Sequence, residues 1–281
     1  MEDNFGIVML AQNNDVDDYV QQACVTAMSI AKTNPGIPVS LITNDEVPAQ
    51  YQRFFDNIIE IPWTDSAEKE NWKISNRWKI YHVSPYTRTL VLDTDMLVLQ
   101  DIDSWVKFLE NYEMYFVSNV YTYRGDLVTS DYYRKAFTAN ELPNLYSGLH
   151  YFKKCEFSHK FYTWLELVVN NWELFYGQYV KEHYPKRCSI DVSAAIVSKI
   201  LDCDSEITNT RVKFPSFTHM KPRIQDWHEA INKWQNRISV YMDKDCNLKL
   251  GNHIQTGILH YTEKDFIEGA VIKRYEELLD V

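Results

Sequence analysis

"TLVLDTDMLVLQDI", residues 89–102, sets two carboxylates, Asp93 and Asp95, one residue apart at the end of an apolar run. Thr89 to Leu92 read as a buried strand of the parallel type, β-branched in part and bounded by polar residues. Alternate side chains of an extended segment share a face, so Asp93 and Asp95 are expected to point the same way. Two carboxylates at that spacing repel strongly in a half-dry crevice, and a cation is expected between them.

Working outward, the elements around this stretch alternate. "FGIVMLA" (5–11) reads as a short buried strand, and "DDYVQQACVTAMSIAKTN" (17–34) has helical spacing with Asp17 and Asp18 as first-turn anions. "PVSLIT" (38–43) and "NIIEIP" (57–62) read as strands, and "ENWKISNRWKIYHV" (70–83) returns to helical periodicity. Beyond the opening stretch, 103–112 reads as helix, 113–120 as strand, and "LHYFKK" (149–154) as a strand entered through the turn-prone "YSG". Residues 157–174 and 189–201 read as helices. After about 205 the pattern is irregular until "TGILHY" (256–261) and a closing amphipathic helix, 270–281. This alternation predicts an α/β fold with a mostly parallel, doubly wound sheet. No linker or repeat divides the chain, so one domain over 1–281 is expected, with a core at about 5–205 and a C-terminal part at about 206–281.

Composition narrows the function classes. Hydrophobic residues make up 45% of the 281, which excludes a disordered chain. A formal net charge of −10 gives no sequence-wide basic footprint for nucleic acid or an anionic membrane. The best candidate for a local basic patch is "KPRIQDWHEAINKWQNR" (221–237), which mixes four cations with Trp227 and Trp234 and reads first as a solvated amphipathic helix face. Five cysteines without a C-x-x-C pair suit reduced thiols. The start, "MEDNFGIVMLA", is acidic where a secretion signal would be basic, and its apolar run is too short for a membrane span. A soluble, cytoplasmic protein is expected.

The D-x-D spacing alone is weak, because Asp15/Asp17, Asp101/Asp103, Asp202/Asp204 and Asp243/Asp245 repeat it. Only Asp93/Asp95 closes an apolar strand of an α/β pattern, and ligands of such sheets bind outside the carboxyl ends of strands. Two carboxylates with open positions suit Mg²⁺ or Mn²⁺ shared with substrate phosphates. Two chemistries fit. A haloacid-dehalogenase-type phosphotransferase uses the first Asp as nucleophile, but Leu97 stands where Thr or Val is usual in the run that follows, and no later G-D-x-x-x-D exists. A sugar-nucleotide transferase uses both Asp residues to hold a metal on a diphosphate.

From residue 5 to about 200 the chain resembles the glycogenin-like and galactosyltransferase-like family of retaining glycosyltransferases, which have the GT-A fold. "IVMLAQNNDVDDYVQQACVTAMSI" is similar to the family's first nucleotide-binding unit; the resemblance implies Ala11, Gln12 and Asn13 at the base and ribose and Tyr19 against the uracil. "RWKIYHVSPYTRTLVLDTDMLVLQDI" resembles its metal-binding block, implying Arg77 as a cation facing the donor and Asp93, Thr94 and Asp95 at the diphosphate. "YSGLHYF" resembles its N-S-G segment, which brings in Ser147 and Gly148, and "SIDVSAAI" its D-Q motif, which places Asp191 beside the transferred sugar. "GILHY" resembles the late strand carrying the third metal ligand, here His260; "FTHMKPRIQDW" offers His219 and Lys221 as alternatives, and Lys264 is a further phosphate candidate. Tyr146 stands for the family's Asn, Val192 for its Gln, and G-x-x-K-P-W is absent around "HYTEKDF". The resemblance implies a transferase using Mn²⁺ or Mg²⁺ and a nucleoside-diphosphate sugar, UDP first, with Asp191 and Arg77 closest to the chemistry. The acceptor stays open among glycan, protein and a hydroxymethylated base of phage-type DNA, and a non-catalytic sugar-binding module is the remaining alternative.

Overall fold

The computed structural model describes residues 4–128, 134–211, 216–219, 238–261, 263–267 and 269–281. Strand β1 (Phe5–Leu10) leads into helix α1 (Tyr19–Thr33), whose N-cap Asp18 accepts a hydrogen bond from the Gln21 amide. Then follow β2 (Val39–Ile42), β3 (Asn57–Ile59), the short helix α2 (Ile80–Val83), β4 (Arg88–Leu92), β5 (Met96–Val98) and α3 (Asp103–Leu109). The middle of the chain adds β6 (Met114–Val117), α4 (Lys135–Ala139), β7 (Tyr146–Lys153), α5 (Glu156–Asn170), α6 (Trp172–Tyr179), α7 (Ile190–Leu201) and α8 (Asp204–Ile207). The C-terminal part adds β8 (Phe217–His219), β9 (Val240–Met242), β10 (Leu248–Leu250), β11 (His253–Ile254), β12 (Ile258–His260) and α9 (Ala270–Leu279).

The main sheet has the order β3-β2-β1-β4-β7-β6. Its first four strands are parallel, and β7 runs against both β4 and β6. Chain order reverses between β1 and β4, which makes their carboxyl ends the switch point where an α/β sheet opens a crevice. The pleat divides the core in two. Ile7, Met9, Leu90 and Leu92 face the layer of α1, α3 and α9, while Val8, Leu10 and Val91 face α2, α5 and α7.

A second sheet, β5-β12-β8, continues from β4. The edge of β5 is covered by a polar stripe of α1. The Thr26 hydroxyl donates to the Thr94 and Met96 carbonyls, both at 2.7 Å; Ser29 Oγ accepts from the Val98 amide at 3.0 Å; Thr33 donates to the Val98 carbonyl at 3.3 Å. Helix hydroxyls thus satisfy backbone groups that a neighbouring strand would otherwise pair, which explains fully buried Thr26 and Ser29 inside an apolar helix.

Four readings from sequence are corrected. Residues 70–76 are a loop rather than helix, because Glu70 ties the Ile74 and Ser75 amides and Lys73 adopts a positive φ of 50°. The helix expected over 157–174 breaks at Asn171, whose amide side chain bonds the Leu167 carbonyl. Strand β7 begins at Tyr146, so "YSG" lies within it. The stretch after 205 is not irregular throughout: it holds β8 and an antiparallel meander, β9 to β11, whose strands are too short to show periodicity. No helix among the described residues is long and apolar enough to cross a membrane.

Candidate active site

The two carboxylates converge by a different route from the expected one. Asp93, Thr94 and Asp95 do not continue the strand: they form the bend between β4 and β5, and the side chains meet because the chain turns there. Two backbone bonds fix the bend, from the Asp93 amide to the Gly148 carbonyl (2.8 Å) and from the Tyr261 amide to the Asp95 carbonyl (3.1 Å). Gly148 leaves room for the Asp93 carboxylate, since a Cβ there would meet Asp93 Oδ2 and force it to shift. Pairing of β12 with β5 sets His260 opposite Met96 and so beside Asp95. One ligand atom each from Asp93, Asp95 and His260 lies within 4.8 Å of the others.

The cation expected between the carboxylates is two cations. Arg77, in a single 3-10 turn ahead of α2 rather than in a longer helix, contacts Asp93. Lys264 Nζ lies 2.7 Å from Asp95 Oδ2, and His260 Nε2 lies 3.1 Å from the same oxygen. Burial alone would raise the Asp95 carboxyl, but His260 and Lys264 hold it well below the usual carboxylate range. Burial lowers Arg77, opposed by Asp95 and Asp191. Lys264 is raised, because the attraction of Asp95 outweighs its burial.

These groups open onto a cleft of about 180 Å³ at the switch point, lined among others by Gln12, Tyr19, Trp72, Arg77, Asp95 and Lys264. Tyr19 begins α1 and offers its ring at the cleft, with Lys264 Nζ 4.9 Å from the ring centre. Gln12 is tied to Asp65 and Asn76 at 2.7 and 2.8 Å. Its neighbours do not line the cleft: Ala11 is buried in the core, and the Asn13 side chain accepts from the Val20 amide at the start of α1. Thr94 is buried, with its carbonyl held by α1.

Asp191, in the first turn of α7, is half-buried and is not among the residues that line the cleft. Its Oδ1 accepts from the Ser147 amide at 2.9 Å and from the Ser147 hydroxyl, and its Oδ2 from Arg134 Nη1 at 2.7 Å. Burial would raise this carboxyl, yet Arg134 and Ser147 bring it below the ordinary value. Arg134 escaped the sequence reading. It is buried between the rings of Phe137 and Tyr146, 4.0 and 3.9 Å from their centres, and nothing in the surrounding residues marks it. Tyr146 is the floor of that cation, and Val192 is core. His219, on β8, sits opposite His260, with ring centres 4.7 Å apart. Lys221 and the cation-rich segment up to Arg237 lie outside the described residues.

No family model matches the chain, and neither does any curated protein. Among solved structures, the galactosyltransferase LgtC with donor and acceptor sugar analogues aligns over 98% of this chain and 96% of its own, at 15% identity and a TM-score of 0.53. Mouse xyloside xylosyltransferase 1 aligns over 92% and 98%, at 12% identity and a TM-score of 0.54. The chain has a GT-A-type glycosyltransferase fold. A third similar structure, the glycosyltransferase GlyE of Streptococcus pneumoniae TIGR4, aligns over 74% of this chain at 16% identity and a TM-score of 0.46, and the chain spans 46% of it. In the GT-A arrangement seen here, Asp93, Asp95, Arg77, His260 and Lys264 meet at the carboxyl end of the parallel strands, although the last two come from the end of the chain.

Proposed function

We propose that the protein is a metal-dependent glycosyltransferase that moves a sugar from a nucleoside-diphosphate sugar, UDP-linked first, to an acceptor hydroxyl with retention. The observation that carries this reading is the meeting of two carboxylates, an imidazole and two cations at the switch-point cleft. The oxygen and nitrogen donors of Asp93, Asp95 and His260 suit a hard divalent ion, and these residues would hold Mn²⁺ or Mg²⁺. When bound, such an ion neutralises charge that develops on the departing diphosphate. Arg77 and Lys264 donate to the same phosphate oxygens, and Tyr19 offers the aromatic face for the base. Asp191, held by Ser147 and Arg134, orients the sugar by accepting hydrogen bonds. The chain works as one unit, in which the core over 5–205 takes the donor and the C-terminal part supplies His260 and Lys264. The phosphotransferase reading has no support from the fold, and the acceptor is sought among glycans first.

A donor-hydrolysis screen across UDP-, GDP- and ADP-sugars with Mn²⁺ tests this reading, followed by the best donor against sugar, protein and modified-DNA acceptors. Asp95→Asn should abolish hydrolysis in a chain that still folds, as circular dichroism would show. Hydrolysis that survives the substitution would refute the role of the carboxylate pair.

A further inference from the structure

Both carboxylates of the proposed metal group already carry a counter-charge. Arg77 contacts Asp93, and Lys264 Nζ lies 2.7 Å from Asp95 Oδ2, the same oxygen that His260 Nε2 approaches at 3.1 Å. The two carboxylates and the two cations, Arg77 and Lys264, sum to zero. A carboxylate pair that would attract a divalent ion as a double negative charge therefore presents a neutral group. An ion held by Asp95 Oδ2 would have an ammonium as its immediate neighbour, and the two would repel.

Lys264 is placed to leave. It opens a 3-10 turn, Lys264–Ile267, beyond the end of β12, and its side chain retains 26% exposure where it lines the cleft. The Tyr19 ring, 4.9 Å from Nζ, offers a cation-binding face along the cleft wall. Arg77, by contrast, has a side chain only 13% exposed and faces Asp95 and Asp191 as well as Asp93. Of the two cations, Lys264 is the one free to exchange an anionic partner.

We propose that Lys264 is a movable counter-ion: it neutralises Asp95 while the cleft is empty and transfers to the donor's diphosphate when that enters, so that metal and nucleotide bind as a coupled pair. This rests on the glycosyltransferase reading above. The transfer exchanges one ion pair for another and makes no covalent change. By linkage, whatever the nucleotide contributes to metal affinity, the metal contributes equally to nucleotide affinity.

The test is calorimetric titration of Mn²⁺ into the full chain, alone and with saturating UDP, for the parent, Lys264→Gln, Lys264→Met and Lys264→Arg. In the parent, UDP should tighten Mn²⁺ binding by about tenfold or more. Lys264→Gln and Lys264→Met should bind Mn²⁺ alone several-fold more tightly than the parent, lose about tenfold in UDP affinity, and show a smaller coupling. Lys264→Arg keeps the charge and should stay close to the parent for Mn²⁺ alone. Circular dichroism identifies any variant that fails to fold, and the other neutral variant then decides. If the neutral variants bind Mn²⁺ alone no better than the parent while UDP and Mn²⁺ still bind together, the movable counter-ion is overturned and the glycosyltransferase reading stands. If the parent binds no UDP with Mn²⁺, that reading fails and the inference fails with it.

Discussion

Asp191 shows what a single half-buried carboxylate needs. Three donors from two residues hold it, and only one of those residues, Arg134, carries a charge. Removing that charge leaves an uncompensated anion in a largely buried place. Arg134→Met is therefore expected to cost about 3–5 kcal/mol of stability, and Asp191→Asn in the same chain to restore part of it. Urea unfolding of both single variants and the double variant measures this; additive losses would show that the pair does not act as a unit. Asp191 was legible from its place in "SIDVSAAI", as were Asp93, Asp95 and His260 from their places after apolar strands. Arg134 was not, because its partners Asn144, Leu145 and Asp191 are brought to it only by the fold and no local pattern announces a buried arginine.

At the scale of elements, α1 does more than cover the sheet. Its Thr26, Ser29 and Thr33 form a hydroxyl row along β5, and the carbonyls they hold include that of Thr94, inside the carboxylate bend. Thr26→Val keeps the shape and removes the donor to both Thr94 and Met96. It is expected to cost about 2 kcal/mol in unfolding by denaturant, and to weaken Mn²⁺ and UDP binding together because Asp95 loses its anchor. Unchanged binding would mean that the bend is held by β12 alone. The strands of the main sheet could be read from their apolar runs, and α1 from its spacing. The failures have two causes: the helical spacing of 70–76 is overridden by Glu70, which ties the Ile74 amide, and by a left-handed Lys73, whereas β8 to β11 are two or three residues long and leave no periodic trace. The row on α1 was hidden for the converse reason, since threonine and serine inside an apolar helix look like small core residues.

At the scale of the molecule, the sheet joins two apolar layers, and a few ionisable groups are sealed between them. His150, in the middle of β7, stacks on Phe116 with ring centres 4.8 Å apart, and its ring nitrogens pair with the Ser147 carbonyl and the Tyr162 hydroxyl. Burial pushes its pKa down from 6.5 to about 4, and burial also lowers His82. The unfolded chain then takes up protons below pH 6.5 that the folded chain refuses. Stability should be fully present above pH 6.5 and should fall by about 3 kcal/mol as the pH drops to 4 on account of His150. His150→Gln should flatten this part of the profile in urea titrations at pH 7, 5.5 and 4.5; an unchanged slope would show that His150 is not the group responsible. The same architecture brings the two ends of the chain to one cleft, and the central claim is that this cleft takes a nucleotide through a shared divalent ion. Calorimetric titration of UDP into the protein with Mn²⁺ and again in EDTA tests that claim most directly: the account predicts affinity at least about tenfold higher with the metal, and equal affinity in EDTA would contradict it.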